Sequence, residues 1–532
     1  MSIVGRNLVW LLMTQLASWV MSLATLLIVP DALGREDLGK LGFALAFVGF
    51  FQLVASLGTS TFIVKEIARD HALVGSYVVN GVVLKVGLAL VLTAAALGFG
   101  AFRGYDSQLM ALIGLGCVSM LFSVVNEMFV GGLSGMSRMA MPAVFTAAQV
   151  YVSAIGGILI VKAGYGLVAY AAWLTASGIV PVLATGRLVW PYLRGHWRID
   201  PRLWRILIMG GLPFFVIVAL NVVYSTIGIP ILRAISGDGA VGDYDLAVRW
   251  ATIPIFVSTA VAAAYFPAFS AEAAKDPTEF ASLVRRAVRI VLGVSVPAGI
   301  GLSLVAGDII DQFHTAQFAE AIPVLRIAAL EVPFAALDTV LAMALVASEK
   351  ARRFVVVGAV AAVLNPIACV IVIRIADDRG NGATGLAIVS IVTELFIMVG
   401  TVRLLPRTVF DRRTVVWCLR CWTAALAMVP VVWIANEQPL VVEALVGVVV
   451  YGVASLVLGT VSLATVRGGV HQVLEAVGFA RPQPATRSDD GAADLGSDLH
   501  AEPGGQDRGG GEERVGEHSS VVRPHDHRPE HE

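Results

Sequence analysis

Fourteen apolar stretches, each long enough to cross a bilayer, run through this chain at approximately 8–30, 41–63, 78–101, 109–130, 142–161, 165–189, 206–231, 245–268, 288–310, 321–347, 354–375, 383–404, 414–434 and 440–466. A hydrocarbon core takes about 20 apolar residues of helix. Inside it every backbone N–H and C=O must be satisfied within the segment or by a closed barrel, so runs of this length are helices. The expected fold is an all-α polytopic membrane protein of about 14 transmembrane helices. Composition agrees, with 57% hydrophobic and 14% charged residues, against about 25% charged in soluble domains. No connection between spans exceeds about 20 residues. That leaves no room for a separate extramembrane domain, so the chemistry is expected inside the bundle. Residues 8–30 are too long for the apolar core of a cleavable signal and read as the first span.

Lys and Arg set the orientation. With the N-terminus inside, alternate connections place 20 cations on the inner face and seven on the outer, so both termini are expected on the inner, cytoplasmic side of the membrane. Residues 481–532 hold 12 Asp/Glu and six Arg, leaving 27 acidic and 32 basic residues in 1–480. This acidic tail lacks apolar periodicity and is expected to be disordered. Its end, HDHRPEHE, is expected to be solvated rather than a metal site. Cys117, Cys369, Cys418 and Cys421 all fall in apolar runs. A lone CLRC is a weak metal signal, and the four read as small apolar side chains.

The chain also contains an internal repeat. LIVPDALGREDLGKLGFALAF joins spans one and two, and GIPILRAISGDGAVGDYDLAVRW joins spans seven and eight. Each has a Pro (Pro30, Pro230), a Gly-x4-Gly (Gly34 and Gly39; Gly237 and Gly242), and then an Ala (Ala44, Ala247). A second match pairs 158–177 with 370–392, where an Ile/Val-rich helix ends in Lys162 or Arg374. Six spans return the chain to its starting side, so the repeat is parallel, with its pseudo-axis along the membrane normal. The expected organisation is two pseudo-symmetric six-helix lobes (1–205 and 206–410), two extra helices (411–480) and the tail (481–532).

Four segments in this order resemble the multidrug/oligosaccharidyl-lipid/polysaccharide flippase superfamily, in its bacterial O-antigen-type polysaccharide branch. They are LGREDLGKLGFALAFVGFFQLVASLGTSTFIVKEIAR (33–69), VGDYDLAVRWATIPIFVSTAVAAAYFPAFS (241–270), FAEAIPVLRIAAL (318–330) and VLNPIACVIVIRI…NGATGLAIVSIVTE (363–394). The resemblance covers about residues 5–410. It implies a flippase, not an enzyme, that carries a polyprenyl-diphosphate-linked oligosaccharide to the outer leaflet by alternating access, with H+ or Na+ as coupling ion and no other cofactor. Polysaccharide polymerase and assembly proteins are the implied partners beside the bilayer, and no nucleic acid. The alternatives are a cation-coupled multidrug-type antiporter and a polytopic glycosyltransferase or polymerase.

A diphosphate headgroup crosses hydrocarbon only along a polar path, and a guanidinium fork suits its oxygens. Arg249, about 6–9 Å into span eight, is the first candidate. The resemblance supports it, because lipid II flippases of the superfamily use an Arg there. Asp245 at i−4 is an available ion-pair partner. Lys85, Arg35, Lys65 and Arg6 are further headgroup candidates, each with snorkelling or topology as its bland alternative. Span one itself carries no cation, unlike the lipid II flippases. Glu331 and Asp338, seven residues apart on one face of span ten, and Glu394 in span twelve are the coupling-ion candidates. No metal site is expected.

Overall fold

The computed structural model describes residues 19–461 except 139, 349, 350, 436 and 437. Arg6, Gln15, Lys350 and the acidic tail lie outside these residues. The described chain is helical: α1 (Trp19–Leu33), then α2 (Arg35–Ser56), α3 (Thr59–Arg69), α4 (Val74–Phe102), α5 (Ser107–Gly135), α6 (Ala140–Lys162), α7 (Leu167–Ser177), α8 (Ile179–Leu193), α9 (Pro201–Thr226), α10 (Gly228–Ala251), α11 (Phe256–Glu272), α12 (Pro277–Leu304), α13 (Ala306–Phe313), α14 (Ala321–Ala347), α15 (Ala351–Asp377), α16 (Gly382–Leu404), α17 (Arg412–Leu426), α18 (Met428–Ile434) and α19 (Leu440–Val457). Twelve helical stretches are long and apolar enough to span a membrane. One of these, Val218–Glu272, has 55 residues and would extend about 80 Å as a single helix. The non-helical backbone at Gly237 divides it between two crossings. With α1, this accounts for the fourteen expected passes.

Short polar residues start the helices where the sequence leaves a connection. Asp200 accepts from Arg202 N–H at 2.9 Å, Asp276 from Thr278 and Glu279 N–H at 2.8 and 3.2 Å, Asn381 from Thr384 N–H at 3.0 Å, and Asp411 from Thr414 N–H at 2.7 Å. Each occupies orphan N–H groups of a first turn. These bonds hold the exposed Asp276 and Asp411 carboxyls below their ordinary pKa. Pro201 and Pro277 follow two of the caps, where a missing N–H costs nothing.

Two helix starts differ from the hydropathy reading. Span two begins at Arg35 rather than 41, and span eight begins just after Gly237 rather than at 245. Hydropathy excludes Arg35, Asp37, Lys40, Asp238 and Asp243, but the folded chain gives these charges partners. Lys40 Nζ donates to Gln108 Oε1 at 2.7 Å, and Gln108 Nε2 donates to Asp37 at 3.3 Å. Arg233 Nε donates to Asp238 at 2.5 Å, with its guanidinium 4.4 Å from the Phe43 ring centroid.

The repeated glycines explain how the halves meet. Gly34 (φ 89°) and Gly237 (φ 84°) both have left-handed backbone just ahead of a helix. Five residues on, a Cβ on Gly39 would lie 1.7 Å from the Asp238 carbonyl oxygen, and one on Gly242 would lie 2.1 Å from that of Arg35. The contact is reciprocal: in each half the residue after the first glycine touches the second glycine of the other half. α2 and α10 therefore cross backbone on backbone. Close approach through small residues is how helices gain packing energy in lipid, where burial alone gives no drive.

A second close contact lies at the other end of α2. Leu57 (φ 51°) and Gly58 (φ 63°) break the helix. A Cβ on Gly58 would meet Phe215 N at 2.4 Å, and one on Gly211 would meet Leu57 O at 2.4 Å, so α2–α3 is also held against α9. Buried side chains form one core through α10–α18, joined by Leu26 and Leu38, and two smaller cores through α1–α9. The four cysteines are unbridged.

Gly39→Ala should destabilise the purified protein by about 1–3 kcal/mol or more, as overpacking does. Gly49, with nothing within 4 Å of its would-be Cβ, should be neutral or stabilised by up to about 1 kcal/mol as Ala, through helix propensity. Equal thermal shifts for the two variants would show that the crossing at Gly39 is not tight.

Candidate functional site

Contacts between connections define the two ends of the bundle. At the end with few arginines, Arg35 links α2 to the C-terminal half. Its Nε donates to Asp243 Oδ2 at 2.7 Å, and its Nη2 donates to Glu320 Oε2. Asp243 is 1% exposed, so its charge depends on this one guanidinium. Nearby, Asp31 accepts from Thr315 N–H at 2.8 Å and Thr315 Oγ1 at 3.0 Å, and lies 3.1 Å from His314 Nδ1. The Trp250 indole N–H donates to His314 Nε2 at 3.1 Å. Nε2 is thus the acceptor, and the proton of the neutral ring sits on Nδ1, facing Asp31. Burial pushes the His314 pKa down, with Asp31 opposing. The sequence reading missed His314, Asp31 and Glu320. Their only signal was position in short connections, with no distinctive spacing.

Arg249 stands further along its helix than the hydropathy start implies. With α10 resuming after Gly237, it is eleven residues along from Asp238, about 16 Å of helix. This corrects the shallower expectation of 6–9 Å, which followed from starting the span at 245. Arg249 occupies the last turn of its helix, ahead of the 3-10 turn Ile253–Ile255 at Pro254, where the helix dipole favours a cation. Its Nε donates to Asp245 Oδ2 at 2.6 Å, and both groups interact electrostatically with Tyr170 of α7. The side chain remains 40% exposed. Its two Nη groups make no hydrogen bond to a described residue, and it lines a cavity of about 560 Å³ between α1 and α10–α11. The rest of that wall is mostly apolar, with Trp19, Leu23 and Phe256, and adds the hydroxyls of Ser22 and Thr252.

The other cations are placed differently. Lys85 is fully buried, its Nζ 2.8 Å from Glu127 Oε2, and lines none of the larger cavities. Lys65 is exposed on α3 toward the arginine-rich end. Neither lies with Arg249, and Arg6 lies outside the described residues. The acids do gather in one half. Glu394 interacts electrostatically with Asp338 and Glu331, Tyr224 with Glu394 and Asp338, and Tyr244 with Glu331. Asp338 accepts from Thr401 Oγ1 at 2.9 Å. Among the described residues no three His, Cys, Asp or Glu side chains converge closely enough to hold a metal ion. Of the polar span residues, Asn126 accepts from Thr185, Asn365 donates to Thr393, and Asn221 donates to Tyr224.

Comparison with known proteins gives the family. The profile described as polysaccharide biosynthesis protein matches residues 4–272, and the MatE profile matches residues 213–371. No curated protein matches. The solved structure of lipid II flippase MurJ in an inward closed conformation superposes with a TM-score of 0.68 at 16% identity, over 84% of this chain and 98% of that one. An inward-facing multidrug resistance MATE family transporter of the MOP superfamily superposes with a TM-score of 0.60 at 16% identity, over 73% and 94%. At these identities the likeness is one of fold.

Lys85→Met should destabilise the protein by about 1–3 kcal/mol, because it leaves the half-buried Glu127 carboxylate without its partner. Lys85→Met/Glu127→Gln should recover much of that loss in thermal unfolding, and transport activity with it. A double variant that is stable yet inactive would instead place Lys85 on the substrate.

Proposed function

The chain belongs to the polysaccharide biosynthesis protein family of the multidrug/oligosaccharidyl-lipid/polysaccharide flippase superfamily, and on that premise we propose that it carries a polyprenyl-diphosphate-linked oligosaccharide from the inner to the outer leaflet of a bacterial cytoplasmic membrane. The arginine-rich end is the inner face in this reading, so the Arg35–Asp243–Glu320 cluster closes the outer face. The observation that carries the proposal is Arg249. It is a permanently charged fork within an apolar helical bundle, held on one edge by Asp245 and bordering a largely apolar cavity. An anionic head on a long hydrocarbon chain needs these two features side by side. Asp245 moderates the attraction, so the head can also leave.

The remaining candidates take other parts in the proposal. Arg35 and Lys85 act as structural cations, since each is committed to carboxylates. Lys65 and Arg6 act at or near the inner surface, where they attract the anionic head. Glu331, Asp338 and Glu394 couple transport to an ion. We favour H+, which one carboxylate can bind, over Na+, which needs several oxygens at once. The glycan would then pass to a polysaccharide polymerase outside. The acidic group also suits the rival reading, a cation-coupled drug antiporter, and dye efflux from loaded vesicles separates the two.

In proteoliposomes carrying a labelled lipid-linked oligosaccharide, Arg249→Ala should slow headgroup translocation by at least about 10-fold, the loss of one charge-assisted contact. Arg249→Lys should recover part of it. An unchanged rate in Arg249→Ala would remove the proposed role. Glu394→Gln should leave substrate binding intact but abolish the response of transport to an imposed pH gradient. A retained response would take Glu394 out of coupling.

A further inference from the structure

A larger cavity, of about 1040 Å³, opens on the N-terminal half at the arginine-rich end. It lies between α4, α5 and α8 and shares no lining residue with the cavity at Arg249. Its inner wall is apolar, with Val82, Val83 and Leu183. Its rim carries Arg138, Arg187 and Arg194. Arg138 rests over the Tyr192 ring at 5.8 Å. None of the three has a carboxylate partner among the described residues, and no lining residue is acidic. Arg35, Lys85, Arg233 and Arg249 are each paired with a carboxylate, whereas these three border one apolar opening without one.

The depth is informative. Val182 and Leu193, eleven positions apart on α8, both line the cavity, a separation of about 16 Å. That is about one leaflet of a core about 30 Å thick. Trp190 and Trp197, 47% and 59% exposed, meet edge-on at the rim with centroids 5.6 Å apart, as aromatic side chains do at headgroup level.

We propose that this cavity is a binding site for an anionic glycerophospholipid. Its phosphate would sit among Arg138, Arg187 and Arg194, with an acyl chain against the valines between α4 and α8. A free phosphate would have no use for the apolar wall, and a neutral lipid none for three unpaired guanidiniums. The leaflet is the inner one if the orientation proposed above holds, and only that assignment rests on it.

The test uses the full-length protein purified in detergent, with retained lipid read by native mass spectrometry. Phosphatidylglycerol should bind in preference to phosphatidylcholine. Arg138→Gln/Arg187→Gln/Arg194→Gln should weaken phosphatidylglycerol by about 100-fold, from three basic contacts. Val83→Trp should weaken it while keeping every charge. Several results would overturn the site: equal affinity for the two lipids, wild-type binding by the triple variant, or wild-type binding by Val83→Trp, which would leave only surface attraction. Displacement of the lipid by undecaprenyl diphosphate, blocked by Val83→Trp, would give the cavity to the transported substrate and also overturn it. Arg249→Ala should bind phosphatidylglycerol as wild type does. The lipid result therefore stands or falls separately from the transport reading.

Discussion

The backbone crossing of α2 and α10 is the contact on which the arrangement depends. In hydrocarbon there is no hydrophobic gain from joining two helices, so the halves need a place where main chains come close enough for dispersion and polar contacts to hold them. Gly39 and Gly242 supply that place, and Gly34 and Gly237 aim the chains into it. The crossing also brings Arg35 to Asp243, a pair that would be prohibitively costly apart in a low dielectric. The packing and the charge pairing are one structure: without the glycines the guanidinium cannot reach, and without the guanidinium the carboxylate cannot be buried.

The same economy runs through the other charges. Lys85 with Glu127, Arg233 with Asp238 and Arg249 with Asp245 are each one cation with one acid. Arg249 differs from the other two in its surroundings. One edge of its fork is used and the rest faces open volume, so it is anchored without being consumed. A charge of this kind can exchange partners at lower cost than a fully buried one such as Lys85.

Much of this was readable in the sequence, for a physical reason. The spans follow from apolar length, and the repeat followed from glycines whose left-handed backbone and lack of a side chain no other residue replaces. The Asp245–Arg249 pair followed from helical spacing. What hydropathy could not read was where α2 and α10 begin, because it treats Arg35, Asp238 and Asp243 as solvated when their solvation comes from partners far along the chain. The position of Arg249 along its helix was misjudged for that reason. Glu320 and His314 were invisible for a related one: they meet α2, α1 and α10 across nearly three hundred residues of sequence or across the bundle, and no local pattern marks such meetings.

Gly242 and Arg249 are seven residues apart on one uninterrupted run of helix, about 10 Å. A rod two turns long is stiff, and it ends at the Pro254 joint. The guanidinium is therefore the handle of a short lever whose fulcrum is the glycine crossing. In the proposed transport role, a ligand pulling on the handle would bear directly on the crossing, with no relay of side chains between them. The seam that joins the two halves is in this sense mechanically continuous with the cation that borders the cavity.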